Sequence, residues 1–264
     1  MSQFYKNLFK SHQRTEENPN LEKVIELSDR LISLLFPERC SKGYIMQREL
    51  ELEFEEIQIE FIHLIAKVKP FLKDPCEQVV EKFFDMIPAI HAEMRKDATA
   101  ITKNDPAALD ELEVIKTYPG FYAIAIYRLA HELHKLNIPY IPRVLSEGVH
   151  SKTGIDIHPG ANIGSSFCID HGTGIVIGET CEIGEHVKIY QNVTLGALSV
   201  DKEMSNTKRH PTLGNNVVVY SGATILGGES IIGENSIIGG NVWLTHGVPA
   251  NVKVYNRSEV VIKE

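Results

Sequence analysis

The sequence predicts an α+β fold in two parts: an N-terminal α-helical domain over residues 1–150, then a parallel β-helix of hexapeptide repeats over residues 151–264. Three observations predict it. From Ile157 onward an aliphatic residue stands at nearly every sixth position: Ile157, Ile163, Ile169 and Ile175, then Ile177, Ile183, Ile189 and Leu195, then Leu213, Val219 and Ile225, then Ile232, Ile238 and Leu244. Glycine is scarce before about His150 and frequent after it. The 264 residues also exceed the ~100–200 of a usual single-core domain, so two units are expected.

In the first half, apolar residues recur at helical spacing through Leu21, Val24, Ile25, Leu31, Leu34 and Leu35, then from Ile45 to Val68, then from Cys76 to Met94. Pro37, Pro70 and Pro75 fall between these segments. Asn104-Asp105-Pro106 predicts the start of another helix, because Asp caps well and Pro suits the first position. Pro119-Gly120 separates two further stretches, Leu112 to Thr117 and Phe121 to Leu136.

In the second half each hexad reads as one short strand and a corner. No single repeat can bury its apolar side, and stacking hides it. The periodic aliphatic points inward onto its equivalent one coil away, about 4.8 Å along the axis. Glycine follows it at Gly164, Gly178, Gly184, Gly214, Gly233 and Gly239, where it is expected to supply corner backbone of positive φ. A small or β-branched residue often stands four places on, as at Ala161, Thr173, Val187, Ala223 and Ser236. The frame slips by two residues between Ile175 and Ile177 and by one between Ile225 and Ile232, which predicts bulges or adjusted corners.

Composition narrows the function. A formal charge of −8 argues against a general nucleic-acid partner while leaving room for a phosphorylated small molecule. No apolar run reaches the ~18 residues of a membrane span, and the N-terminus is polar, so a cytoplasmic protein without a membrane partner is expected. Cys40, Cys76, Cys168 and Cys181 lack metal or redox spacing and read as packing residues.

The residues that break the repeat carry the chemistry. GIDIHPG (Gly154 to Gly160) and IDHGTGIVIGET (Ile169 to Thr180) place His and Asp on a prism with little structural need for them. Fifteen residues separate Asp156 from His171, which in an 18-residue coil sets His171 one coil up and half a side short of directly above. A carboxylate beside an imidazole makes a general base; a surface His beside a corner Asp fits the same spacing. After Leu195 the next aliphatic in phase is Leu213, and residues 196–212 read as an extruded loop ending in Lys208-Arg209-His210-Pro211. Arg is a natural bidentate partner for a carboxylate, although a solvated basic tip has the same composition.

At these residues the chain resembles the serine acetyltransferase family. The likeness runs from about Lys103 through DPAA (Asp105 to Ala108), YPGFYAIAIYRLAHEL, DIHP, IDHGTGIVIGET, QNVTLGA, the RHP loop end and the ATILGG region. The resemblance implies a left-handed β-helix, trimers or dimers of trimers, and acetylation of the L-serine hydroxyl by acetyl-CoA, the first step of cysteine biosynthesis, without a metal. It implies His171 as general base oriented by Asp156, Arg209 on the serine carboxylate, His210 assisting, and Asp105 with Asp170 on the ammonium group. Gly222, Ala223 and Gly240 are expected along the path of CoA, and Lys253 at a phosphate. L-cysteine is the implied feedback inhibitor, through Asp105, Asp170 and Arg209. The loop is longer and less glycine-rich than the family pattern. The tail ends in Glu264 where many relatives end in Ile, which argues against a stable O-acetylserine sulfhydrylase complex. Weighed against this are a zinc carbonic anhydrase using His158, His171, His186 and His210, acetyl transfer to homoserine, a sugar or an antibiotic, and a non-catalytic scaffold.

Overall fold

The computed structural model describes residues 2–12, 20–40, 42–199 and 207–257. Among them seven α-helices precede fourteen short strands. The helices are α1 (Ser2–His12), α2 (Leu21–Leu35), α3 (Gln47–Ala66), α4 (Cys76–Asn104), α5 (Glu111–Thr117), α6 (Pro119–Lys135) and α7 (Ile141–Thr153). The strands are β1 (Asp156–Ile157), β2 (Asn162–Ile163), β3 (Cys168–Asp170), β4 (Val176–Ile177), β5 (Glu182–Ile183), β6 (Lys188–Tyr190), β7 (Thr194–Gly196), β8 (Thr212–Leu213), β9 (Val218–Val219), β10 (Thr224–Leu226), β11 (Ile231–Ile232), β12 (Ile237–Ile238), β13 (Trp243–Leu244) and β14 (Lys253–Val254).

All strand pairs are parallel, and they form three sheets: β1-β4-β7-β10-β13, β2-β5-β8-β11 and β3-β6-β9-β12-β14. The chain visits the three faces in turn, which is a parallel β-helix. Every periodic aliphatic is at most 8% exposed. Ladder partners Asp156–Val176, Val176–Thr194, Thr194–Thr224 and Thr224–Trp243 give coils of 20, 18, 30 and 19 residues. The two frame slips are therefore two enlarged coils, and the loop excursion is the long one. Residues 200–206 of that loop and the tail from Val260 to Glu264 lie outside the described residues.

The glycines serve a purpose other than the one expected. Gly164, Gly178, Gly184, Gly214, Gly233 and Gly239 do not have positive φ. A Cβ on Gly164 would come within 2.7 Å of the Gly184 carbonyl carbon, and one on Gly214 within 2.7 Å of the Glu234 nitrogen. All but Gly178, which faces a side chain, let backbone stack on backbone between coils. Positive φ falls instead on Ser166, His186, Asn216, Asn235 and Asn251 at one corner, and on Gly154, Gly174, Asn192, Gly222 and Asn241 at another. Asn tolerates that region better than most residues, and Asn216, Asn235 and Asn251 join side chain to side chain at 3.0 and 3.2 Å. Of the small or β-branched residues four places on, Ala161, Val187, Ala223 and Ser236 are buried, while Thr173 is exposed in the enlarged first coil.

The helical periodicity recovers α2 to its ends, while α4 runs ten residues beyond Met94. Asp105 ends α4 rather than starting a helix. Its Oδ1 accepts the Ala107 N–H at 2.8 Å and its Oδ2 the Tyr118 hydroxyl at 2.7 Å. Asp110 is the cap of the next helix, accepting from the Glu113 N–H. Pro119 is the first residue of α6, and Gly120 lies within it. A Cβ on Gly120 would come within 2.7 Å of the Ile169 carbonyl oxygen, so glycine there lets α6 lie against β3.

A buried ion pair fastens the helices to the first coil. Arg128 of α6 donates to both oxygens of Asp97 of α4 at 2.9 Å and to the carbonyls of Ile163 and Gly164 at 2.6 and 2.7 Å. Asp97 also accepts the Phe167 N–H at 2.9 Å. The planar guanidinium satisfies four acceptors across the seam.

Candidate active site

The predicted residues gather at two corners of the prism. At the corner leading from the third sheet to the first, Asp170 ends β3 and His171 follows with φ 59°, then Gly172 with φ 93° and Gly174 with φ 80°. A Cβ on Gly174 would overlap the Asn192 side chain. The His171 imidazole is thrust outward, 71% exposed, with Nε2 3.7 Å from Asp170 Oδ1. Asp105, at the C-terminus of α4, belongs to the same cluster. The Tyr118 hydroxyl and the Ala107 N–H hold its carboxyl below the usual range, helped by the charges of Lys188 and His171.

Asp156 sits differently from expectation. Because the first coil has 20 residues, its ladder partner is Val176, five residues past His171 rather than three. Among the described residues Asp156 and His171 share no hydrogen bond. Oδ1 of Asp156 is buried without a hydrogen-bond partner, a costly state that marks a group set up for a donor.

Arg209 and His210 stand at the other edge of the first sheet, where β4 turns toward β5. Arg209 pairs with Glu179, and Thr180 holds the rest of the loop end. Thr180 Oγ1 accepts the N–H groups of Arg209 and His210, each at 3.0 Å, and the Thr180 N–H donates to His210 Nδ1 at 3.1 Å. A Cβ on Gly178 would overlap the His210 ring. The three residues Gly178-Glu179-Thr180 are thus the seat of Arg209 and His210. Sequence reasoning quoted both motifs without linking them, and their signal was shared position at the ends of an interrupted coil. Burial, then Arg209, pushes the His210 pKa down to about 4.

The remaining expected contacts are dispersed. Ala223 is fully buried inside the prism, so it offers a ligand backbone only. Gly222, with φ 73°, leaves room for the Asn241 side chain, while Gly240 and Lys253 of β14 are exposed. The candidate zinc ligands do not converge. His171 and His186 occupy different corners, and His158 and His210 belong to the third. Among the described residues no three His, Cys, Asp or Glu side chains are placed to hold a metal ion. Cys76, Cys168 and Cys181 are buried and Cys40 is partly so, all four as free thiols.

No model of a protein family matches the chain. Over 219 residues, 79% of this chain and 68% of the relative, it is 48% identical to the plasmid serine acetyltransferase of Synechococcus elongatus. The Helicobacter pylori serine acetyltransferase is 53% identical over 126 residues, 48% of this chain and 71% of that one. The chain belongs to the serine acetyltransferase family. Its fold agrees: the crystal structure of Entamoeba histolytica serine acetyltransferase 1 in complex with L-cysteine superposes with a TM-score of 0.80 at 38% identity, covering 88% of this chain and 86% of that one. As a serine acetyltransferase homologue the protein is an acyltransferase, and the two corners are the places on it where Asp, His and Arg side chains interrupt the repeat. Among the described residues no helix is long and apolar enough to cross a membrane.

Proposed function

We propose that the protein transfers the acetyl group of acetyl-CoA to the hydroxyl of L-serine, giving O-acetyl-L-serine and CoA, in the cytoplasm, as the first step of cysteine biosynthesis. The observation that carries this reading is the Asp105–Asp170–His171 cluster on a chain of this family. Two carboxylates receive the serine ammonium beside an exposed imidazole. His171 accepts the hydroxyl proton as the serine oxygen bonds to the thioester carbonyl carbon. When the tetrahedral intermediate collapses, the carbon–sulfur bond breaks and the imidazolium returns the proton to the departing thiolate. The unpartnered Oδ1 of Asp156 supports its assignment as the group that orients His171 and stabilises the imidazolium.

Arg209 is assigned to the serine carboxylate and His210 to a supporting hydrogen bond. Within one chain these two lie across the first sheet from His171, which favours a site completed by a neighbouring chain. In a trimer, or a dimer of trimers, Arg209 and His210 of one chain face the carboxylate cluster of the next, and acetyl-CoA runs in the groove between them toward Gly222, Gly240 and Lys253. L-cysteine, which has the same ammonium and carboxylate groups, competes there as inhibitor.

The test is thiol release from acetyl-CoA with L-serine, L-homoserine and a sugar as acceptors, in wild type, His171→Ala and Asp156→Asn. Serine-dependent release is expected to fall at least about a hundredfold in His171→Ala, the usual scale for a general base. Full activity in that variant would sink the mechanism, and preference for another acceptor would overturn the substrate.

A further inference from the structure

One buried cation beside the cluster has no part in this mechanism. The Lys188 side chain, on β6, is 10% exposed. Its Nζ donates to the carbonyl of Asn104, the last residue of α4, at 2.7 Å and lies 3.0 Å from Oδ2 of Asp170. The ammonium also stands 4.5 Å from the centre of the Tyr190 ring. Asp105 follows Asn104 directly, so a single ammonium group ties the end of α4 that carries one carboxylate to the other carboxylate on β3. A cation at a helix C-terminus is favoured by the helix dipole as well.

The groups that face Lys188 are Asp105, Cys168, Asp170 and Tyr190, with Tyr118 and His171 beside the two carboxylates. Burial works against its charge, but the Tyr190 and Asp170 contacts outweigh that and raise its pKa above the ordinary lysine value. The Tyr118 hydroxyl, through its bond to Asp105, and the Cys168 thiol, through burial, are pushed up to about 12 and stay neutral at pH 7. Two carboxylates and one ammonium leave a single net negative charge to be met by a bound amino acid.

We propose that Lys188 is a positioning residue of the amino-acid site, holding Asp105 and Asp170 as one cradle whose net charge matches a single ammonium group. The assignment rests on these carboxylates receiving the serine ammonium. Without Lys188 the two carboxylates repel, the Asp105 carboxyl loses one of the charges that hold it low, and ammonium binding weakens as pH falls from about 7 to 5.

Steady-state kinetics with L-serine and acetyl-CoA across that pH range, in wild type, Lys188→Gln, Lys188→Met and Lys188→Arg, tests it. Gln keeps a donor for the Asn104 carbonyl without the charge and carries the test if the Met variant fails to fold. The expected result is a serine KM raised at least about fivefold in Lys188→Gln, growing further as pH falls, with the acetyl-CoA KM within about twofold of wild type and Arg recovering most of the loss. A wild type with no serine-dependent CoA release overturns the acceptor reading and this one together. An active wild type beside a Lys188→Gln of unchanged serine KM and unchanged pH dependence overturns this one alone, as does a variant in which kcat and both KM values shift alike.

Discussion

The backbone N–H of Thr180 donates to Nδ1 of His210 at 3.1 Å, and that bond settles which tautomer the imidazole adopts. A nitrogen that accepts from an N–H carries no proton, so the neutral ring holds its proton on Nε2. Burial and the neighbouring Arg209 push the pKa to about 4, which keeps the ring neutral at pH 7. His210 is therefore a hydrogen-bond donor through Nε2 and a poor base. His210→Ala is expected to raise the serine KM about ten- to hundredfold, the scale of a hydrogen bond to a charged group, while the pH profile of kcat keeps its midpoint. Nitrogen NMR of the labelled histidine should show the Nε2–H tautomer. An acid limb that vanishes in the variant would make His210 the base instead.

Gly178 tests the same seat from the other side. A Cβ at this position overlaps the His210 ring, and the ring is held by Thr180 and cannot retreat without losing that bond. Gly178→Ala is expected to reproduce the loss in serine KM of His210→Ala and to cost about 1–3 kcal/mol in stability, the usual range for overpacking. Kinetics beside a denaturant melt would check both. A variant with the wild-type serine KM would show that the ring's position does not matter to the acceptor.

The period of six exposed nearly all of the β-helix to sequence reading, because inward aliphatics obey one rule from Ile157 to Leu244. The two frame slips are visible too, as bulges or adjusted corners, and the structure makes them coils of 20 and 19 residues. What the pattern hid was three-dimensional. A glycine reads the same whether it permits positive φ or close stacking, and Gly164 and Gly214 turned out to stack. Asp105-Pro106 carries the composition of a helix start, yet the side chain turns to Ala107 and Tyr118 at a helix end. The helix α7 is masked in the sequence because its buried face carries Pro142, Ser146 and Gly148 among the aliphatics. Nothing in the hexad pattern marks Lys188, which is buried where the end of α4 meets the third sheet. The catalytic candidates were legible one by one. Their division between two corners was not, since it depends on the lengths of the coils.

Arg128 and Asp97 should behave as a buried pair behaves when one member is removed. Arg128→Met leaves the Asp97 carboxylate without its cation, and the expected loss is about 3–5 kcal/mol in denaturant unfolding. Replacing both, Arg128→Met with Asp97→Leu, removes the buried charge as well and should recover most of that loss, leaving the cost of the unpaired Ile163 and Gly164 carbonyls and the Phe167 N–H. A single variant that loses less than about 1 kcal/mol would mean that water reaches the pair.

Acid should weaken the fold through its buried histidines first. Burial lowers the pKa of His91, His131, His158 and His210, the last two to about 4, against about 6.5 in an unfolded chain. At pH above about 6.5 these rings are neutral in both states, and their contribution to stability is fully present. As pH falls from there toward 4 the unfolded chain binds protons that the native chain does not, so stability declines through that window. Glu38, Glu60 and Glu179 lie below the ordinary glutamate value of 4.5 in the native state, and their loss belongs to lower pH. The histidine effect is thus read between about pH 6.5 and 5. His158 supplies the clearest handle, because its Nδ1 accepts the Gly160 N–H at 3.0 Å and protonation there breaks the bond. Melting temperature against pH should slope downward across this window in wild type and more gently in His158→Gln. Parallel slopes in the two proteins would assign the acid sensitivity to other groups.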